Sequence, residues 1–579
     1  MRKPSHSHGA DVQGRAFLSE ISHSTASGDR TTDSSGERDD LSHDHEDSWR
    51  IYPTTAGRTR PDDEWETGKS PDEASPETTR GAWRIILGLG ITVFALLPRL
   101  LVIFYVTDPQ NPGIGWYGDV YHHWQIAYLS KEVGFSQGFL RLWDFKGLEF
   151  FWGLLHPLVL AALFQLTGSV DIVIPRLVSA FTASISIALL FFLLRRYFNT
   201  HVALAGVLIA ALNPIAVFND GVGMQEPLGL ILLFAGLLFW PRRPWATGFL
   251  WMMAGMVRAE YWVMGGGLTV VAAITAKDSG KRLGIGLGWL IPALVYMRYM
   301  LANTGNAIYP IYWNYLAGTA GEWIADRPLN AEQVQAQLGA RVALILALMV
   351  AACLLLKRPP YAPFLLLGVG NIIMIGIVLG LGAYVRGYIT RVLIDRLLVV
   401  PYMYIGILIA IAFLYILPRL RFRVVWMALG WLVILLAVVA SQLLWQPILQ
   451  YYNPLREIWA RETQLADDIA SYYSGGTILI PEDRPYLTYA LVRYHGVEGK
   501  DIEGQMYDPF AYFKDDPFAN WSESRLVIRD WLTNRNIREI AFYPGKSTYE
   551  GMIAREPQWF RHLSTVYLGS VELYEVIPE

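Results

Sequence analysis

The stretch Ile85 to Val106, IILGLGITVFALLPRLLVIFYV, reads as a single apolar run long enough to cross a bilayer as a helix. Soon after it comes Gly118-Asp119-Val120-Tyr121-His122-His123-Trp124, a polar and aromatic loop carrying an acid. Outward from this pair, apolar blocks of about twenty residues recur along the chain, broken by short basic loops. Of the 579 residues, 53% are hydrophobic and 17% charged, which would leave a soluble protein too little polar surface. The expected fold class is a polytopic α-helical membrane protein. A net charge of -3 offers no footprint for nucleic acid. The single Cys353 lies inside an apolar run and permits no intrachain disulfide.

Residues 1–80 are a different material, dominated by Ser, Thr, Asp, Glu and His. Such a segment buries too little surface to offset its ordering entropy and is expected to be a disordered cytoplasmic tail. It is not a signal peptide, because the apolar stretch starts late and is too long. The basic clusters are Arg195-Arg196, Arg242-Arg243, Lys277 with Lys281-Arg282, Lys357-Arg358, and Arg419 with Arg421 and Arg423. The positive-inside rule puts them all on the cytoplasmic face if eleven spans cross. These lie near 83–106, 173–194, 200–217, 226–240, 245–259, 261–276, 283–301, 341–356, 361–383, 395–417 and 424–443. The protein is then a multi-pass protein of the plasma membrane, with its N-terminus inside and everything after Leu444 outside.

Phe150 to Leu166 is left out of the count. If it crossed, every later basic cluster would change face, and His156-Pro157 should interrupt a helix there. It is expected to be a juxtamembrane or re-entrant segment of a first outer loop, 107–172, within a membrane region spanning 81–444. Residues 445–579 read as a small extracytoplasmic α/β domain. The strand-like runs Thr477-Ile-Leu-Ile-Pro481 and Glu539-Ile-Ala-Phe-Tyr543 alternate there with helical stretches such as Trp521 to Asn534.

Ionisable residues in or near spans are costly, and their default reading is functional. Asp119, Asp220, Glu226, Arg258, Glu260, Arg386, Arg391 and Arg396 all fall at the outer ends of the expected spans. Such a collection suits a phosphate-bearing donor and a hydroxyl acceptor: a carboxylate can take the hydroxyl proton while arginines hold the leaving phosphate. Each has a plainer reading too. Asp119 can cap a juxtamembrane helix, Glu226 precedes Pro227 where a helix dipole favours an acid, and Arg258 and Glu260 can simply pair. Arg391 and Arg396 can be interface anchors. His122 and His123 are adjacent and point apart, so ordinary hydrogen bonding is favoured over metal ligation.

The order of motifs resembles the GT-C superfamily of polytopic glycosyltransferases, on the branch of protein O-mannosyltransferases and lipid A aminoarabinose transferases. Gly118-Asp119 stands where that family keeps its catalytic acid. Leu155-His156-Pro157-Leu158, Gly168 and Pro175-Arg176-Leu177-Val178-Ser179-Ala180 are similar to its Pro-Pro-Leu, Gly and Arg-Leu-x-Ser-Ala run. Met224-Gln225-Glu226-Pro227-Leu228 is similar to its acidic-Pro-Leu turn, Met256-Val257-Arg258-Ala259-Glu260 to its Arg-x-Glu turn, and Arg396-Leu397-Leu398-Val399-Val400-Pro401 to its Arg-Tyr-x-x-Pro stretch. The likeness runs from about residue 84 to 415. The chain departs from the pattern in carrying one acid at 119 instead of a pair, and in placing His156 at a position that is basic or proline in relatives.

The resemblance implies an inverting, metal-independent glycosyltransferase without a cofactor, moving one sugar from a polyprenyl-phosphate donor in the membrane lipid to a glycan, lipid or protein acceptor. Asp119 and Glu226 are the expected catalytic residues. His122, His123, His156, Arg258, Glu260, Arg391 and Arg396 are the expected substrate-binding ones. The rival expectation is a transporter or flippase of a lipid-linked or amphipathic solute, which usually keeps its charges at the midplane and carries inverted repeats. A third is a non-catalytic scaffold whose outer domain binds a partner.

Overall fold

The structure is a computed structural model that describes residues 77–107, 119–133, 153–240, 242–312, 328–330, 388–390, 399–419, 422–480, 485–504 and, with short interruptions, 510–578. Residues 1–76 of the expected tail and the expected spans 341–356 and 361–383 lie outside the described residues, while 77–80, expected in the tail, open the first helix.

The first span, α1 (Glu77–Leu101), contains Pro98 and runs on as a π-helical turn over Val102–Val106. Two short helices follow, α2 (Asp119–Val133) and α3 (Leu155–Thr167). The membrane region continues with α4 (Val173–Tyr197), α5 (Thr200–Leu212), α6 (Pro214–Val222), α7 (Glu226–Phe239), α8 (Pro244–Gly255), α9 (Ala259–Thr275) and α10 (Ser279–Thr304). A two-stranded antiparallel pair joins β1 (Pro328–Asn330) to β2 (Tyr388–Thr390). Then come α11 (Val399–Ile411), which extends through a π turn to Arg419, α12 (Arg423–Ser441) and the long α13 (Trp445–Tyr472).

Among the described residues, five helices are long and apolar enough to cross a membrane, or six if the bent pair α5–α6 is one span. Eleven were expected. The difference lies partly outside the described residues and partly in α7, α8 and α9, of 14, 12 and 17 residues. At 1.5 Å per residue they are roughly 21, 18 and 26 Å long, short of a hydrocarbon core of about 30 Å. The expected span 200–217 is also corrected. Asn213 leaves the helical region, and its side chain accepts the amides of Ile215 and Ala216, so that Pro214 opens a new helix bent 56° from α5. Asn219 and Asp220, beyond the end of the expected span at 217, therefore sit on α6.

His156-Pro157 starts a helix and does not interrupt one. Both residues fall in the first turn of α3, where the missing N–H of proline has no helical partner to lose. With 13 residues α3 is too short to cross.

The membrane core centres on α4, whose Leu190, Phe191, Leu193 and Leu194 are buried with Val202 and Ala203 of α5, Leu233 of α7 and Trp251 of α8. Close backbone approach binds α8 to α10: a Cβ at Gly248 would stand 2.3 Å from the Ile285 carbonyl oxygen, and one at Gly288 2.2 Å from that of Trp245. Small residues at such crossings let dispersion contacts hold helices together where lipid removes the hydrophobic driving force.

After α13 the chain forms β3 (Thr477–Ile480), α14 (Pro485–His495), β4 (Ile502–Gly504), α15 (Trp521–Asn534), β5 (Ile537–Phe542), α16 (Ser547–Arg555), β6 (Phe560–Val566) and β7 (Val571–Val576). The five strands make one sheet in the order β4-β3-β5-β7-β6. Pairing is parallel on the β4-β3-β5 side and antiparallel from β5 to β7 and β6.

Candidate functional site

Five helices begin at one place. Asp119 is the first residue of α2, His156 the second of α3, Arg176 the fourth of α4, Glu226 the first of α7 and Glu260 the second of α9. Helix N-termini present unpaired N–H groups and the positive end of the dipole, so acids in these first turns are locally favoured. Tertiary contacts then draw the five starts together. Gly223, in the left-handed region at φ 102°, turns the chain from α6 toward α7, and a Cβ there would lie 2.7 Å from Val120 of α2 and 3.4 Å from Arg176. The Ser179 hydroxyl donates to the Met224 carbonyl at 2.6 Å, pinning the same turn to α4. On the other side the Leu155 amide donates to the Met256 carbonyl at 3.0 Å, which lays the start of α3 along the turn before α9.

Arg258 organises the acids. Its Nε and Nη2 each donate to a carboxylate oxygen of Glu260 at 3.0 Å, a two-pronged fork, and Nη1 donates to Glu226 at 2.5 Å. Arg258 has an extended backbone ahead of α9, which lets its side chain reach the start of α7. Tyr261 adds a second tie, its hydroxyl donating to the Glu226 carbonyl at 3.2 Å. Asp119 lies within electrostatic reach of the same guanidinium.

A second buried pair flanks the first. Arg99, 1% exposed inside the first span, binds Asp220 of α6 through Nε at 2.9 Å and Nη2 at 2.8 Å, and Asp220 in turn lies within electrostatic reach of Glu226. Arg176 is fully buried, and its Nη1 donates to the Thr107 hydroxyl at 3.1 Å.

His156 is 1% exposed, and neither ring nitrogen has a hydrogen-bond partner among the described residues. Burial pushes its pKa down to about 4, against the opposing pull of Glu226, so the ring is neutral at physiological pH. The buried His123 meets it edge-on, with ring centroids 4.8 Å apart. His122 is half-buried and close to Asp119. Both histidines stand on a helix, where a polar loop was expected. Gln225, also 1% exposed, has neither amide atom bonded among the described residues.

The structure thus brings together Asp119, His123, His156, Glu226, Arg258 and Glu260, with His122 beside them. Arg391 and Arg396 lie outside the described residues. Arg99, Arg176 and Gln225 were not singled out as site residues from the sequence. An arginine two-thirds of the way along an apolar run was a usable signal for Arg99, and nothing comparable marks Gln225. Among the described residues, no three His, Cys, Asp or Glu side chains are grouped so as to hold a metal ion.

No family model matches the chain, and no curated protein matches it. The solved structures to which the chain is similar include the following. The archaeal oligosaccharyltransferase AglB of Archaeoglobus fulgidus, in complex with an inhibitory peptide and a dolichol-phosphate, aligns at 11% identity over 85% of this chain and 74% of that one, with a TM-score of 0.47. ArnT of Cupriavidus metallidurans in the apo state aligns at 13% identity over 86% of this chain and 100% of that one, with a TM-score of 0.45. The apo oligosaccharyltransferase of A. fulgidus gives 9% identity, 80% and 69% coverage, and a TM-score of 0.42. Superpositions this loose assign neither family nor activity, which rest on the chain's own residues.

Proposed function

We propose that the protein is a membrane glycosyltransferase of the GT-C kind, transferring one sugar from a polyprenyl-phosphate donor to a hydroxyl acceptor on the extracytoplasmic face, with its N-terminus in the cytoplasm. The observation that carries this reading is the convergence of five helix starts on a cluster of acids and arginines beside buried, neutral polar side chains. The helix starts supply positive dipole ends, each worth about 0.3–1 kcal/mol to a nearby anion, which suits a leaving phosphate. Imidazole and amide groups such as His156 and Gln225 both donate and accept, which suits sugar hydroxyls.

In this reading the acceptor hydroxyl attacks the anomeric carbon as the carbon–oxygen bond to phosphate breaks. The electron pair leaves with the lipid phosphate, and the hydroxyl proton passes to the Asp119 carboxylate. Arg258 already serves two glutamates and carries net negative surroundings. Its role here is to fix Glu226 and Glu260, with the leaving phosphate assigned to Arg391 and Arg396.

The test is purified protein in lipid, offered a panel of polyprenyl-phosphate sugars and an acceptor mixture, with free polyprenyl phosphate as readout. Release that vanishes in Asp119→Asn is expected; equal release from that variant would remove Asp119 from the mechanism. The bent α5–α6 pair is the one observation favouring a transporter, since broken helices build midplane sites. Movement of intact donor across vesicles without release of lipid phosphate would establish that reading.

A further inference from the structure

Helix α2 has 15 residues, and a helix of that length is marginal in water without tertiary support. Its support comes from two directions. Leu160, Ala161 and Phe164 of α3 cover one side. The other side is covered from more than 350 residues away by the C-terminal region. The Tyr489 ring of α14, 2% exposed, packs edge-on against Tyr121 at 5.5 Å and Trp124 at 4.9 Å. Gln125 donates to the Thr488 hydroxyl at 3.2 Å. The Gly499 amide donates to the Tyr128 hydroxyl at 3.0 Å, and a Cβ on Gly499 would lie 2.3 Å from that ring.

The same helix α14 grips the start of α4. The Tyr489 hydroxyl accepts the Ile172 amide at 3.3 Å, and Arg493 pairs with Asp171 at 3.2 Å. Asp171 in turn accepts the Val173 amide at 2.9 Å, closing the first turn of the helix that carries Arg176. One tyrosine therefore touches both the helix that begins with Asp119 and the residue just ahead of the helix that carries Arg176.

We infer that Tyr489 and Gly499 are positioning residues for the transfer reaction: the C-terminal region is a wall of the active site that sets where the Asp119 carboxylate stands, and not a separable acceptor-recruiting module. The inference rests on the glycosyltransferase reading. Its physical basis is that a catalytic group displaced by about 1 Å can lose on the order of 10²-fold in rate.

The experiment uses the full chain in lipid and the variants Tyr489→Ala, Tyr489→Phe and Gly499→Ala, the last a single methyl pressed against Tyr128. Turnover and hydrogen exchange are read together. Tyr489→Ala and Gly499→Ala should lower kcat by roughly 10²-fold with the donor KM little changed. Amides of 119–133 should exchange faster while those of 279–304 do not. Tyr489→Phe, which keeps the ring contacts, should recover most of the loss. Faster exchange in 119–133 with kcat unchanged would overturn the inference, as would a KM effect alone. A wild type that turns over no donor would sink the glycosyltransferase reading and this inference with it. Unaltered exchange of 119–133 in Tyr489→Ala, with turnover intact, would sink this inference and leave the other standing.

Discussion

Arg258 is the most connected charge in the site, and its substitution separates charge from geometry. Lysine keeps the charge and loses the fork, so it can hold one glutamate where arginine holds two. Arg258→Lys is expected to cut turnover by on the order of 10²-fold, whereas an arginine that served only as a charge would tolerate the exchange. Steady-state release of lipid phosphate decides between them. The Arg99–Asp220 pair makes a different prediction. Breaking a buried pair from one side costs about 3–5 kcal/mol, while replacing both partners with apolar residues is often neutral. Arg99→Met should therefore lower the thermal midpoint sharply, and Arg99→Met with Asp220→Leu should restore most of it. Equal loss in the single and double variants would mean the pair is not held as described.

At the scale of elements, the sheet of the C-terminal region carries a titratable fault. Glu539 on β5 stands opposite Glu575 on β7 in antiparallel register and is 2% exposed. Burial, and then the Glu575 charge, push its pKa from 4.5 to about 7. The folded form thus keeps a proton that the unfolded chain releases near 4.5. Stability is full below that pH, falls as pH rises, and above 7 is lower by about 3 kcal/mol. Glu539→Gln should flatten the dependence of thermal midpoint on pH between 5 and 8; a wild-type midpoint independent of pH would contradict the buried carboxyl.

Elements were unequally legible in the sequence. The runs at 477–481 and 539–543 coincide with β3 at 477–480 and β5 at 537–542, because β-branched and aromatic residues bounded by Pro, Gly and Asn mark strands locally. Helices α7 to α9 stand where the expected spans 226–240, 245–259 and 261–276 lie, but hydropathy marks apolar character and not length, and at 14, 12 and 17 residues they are short for a crossing. Asn213-Pro214 is the local signal that divides the expected span 200–217 into two helices. Asp119, Glu226, Arg258 and Glu260 stood out by type and place. Their pairing did not, and no periodicity could join Arg99 to Asp220 across 121 residues.

At the scale of the whole molecule, orientation is the property on which the proposed outer-face chemistry depends. Lys281 and Ser522 are both exposed, the first in the opening turn of α10 and the second on α15. With the single Cys353 replaced by serine, a membrane-impermeant thiol reagent applied to intact cells should label Ser522→Cys and spare Lys281→Cys. Labelling of both, or the reverse, would invert or dissolve the proposed topology.

The Arg99–Asp220 contact also dictates an order of biogenesis. The first span leaves the ribosome bearing a guanidinium whose counter-ion has not yet been made. At about 5–20 residues per second the 121 residues to Asp220 take roughly 6–24 s to synthesise. Over that interval the arginine carries an insertion penalty of about 2.5–3.5 kcal/mol, set by translocon scales at a helix centre. The first helix to enter the membrane therefore reaches its final electrostatic environment only after the sixth has been made.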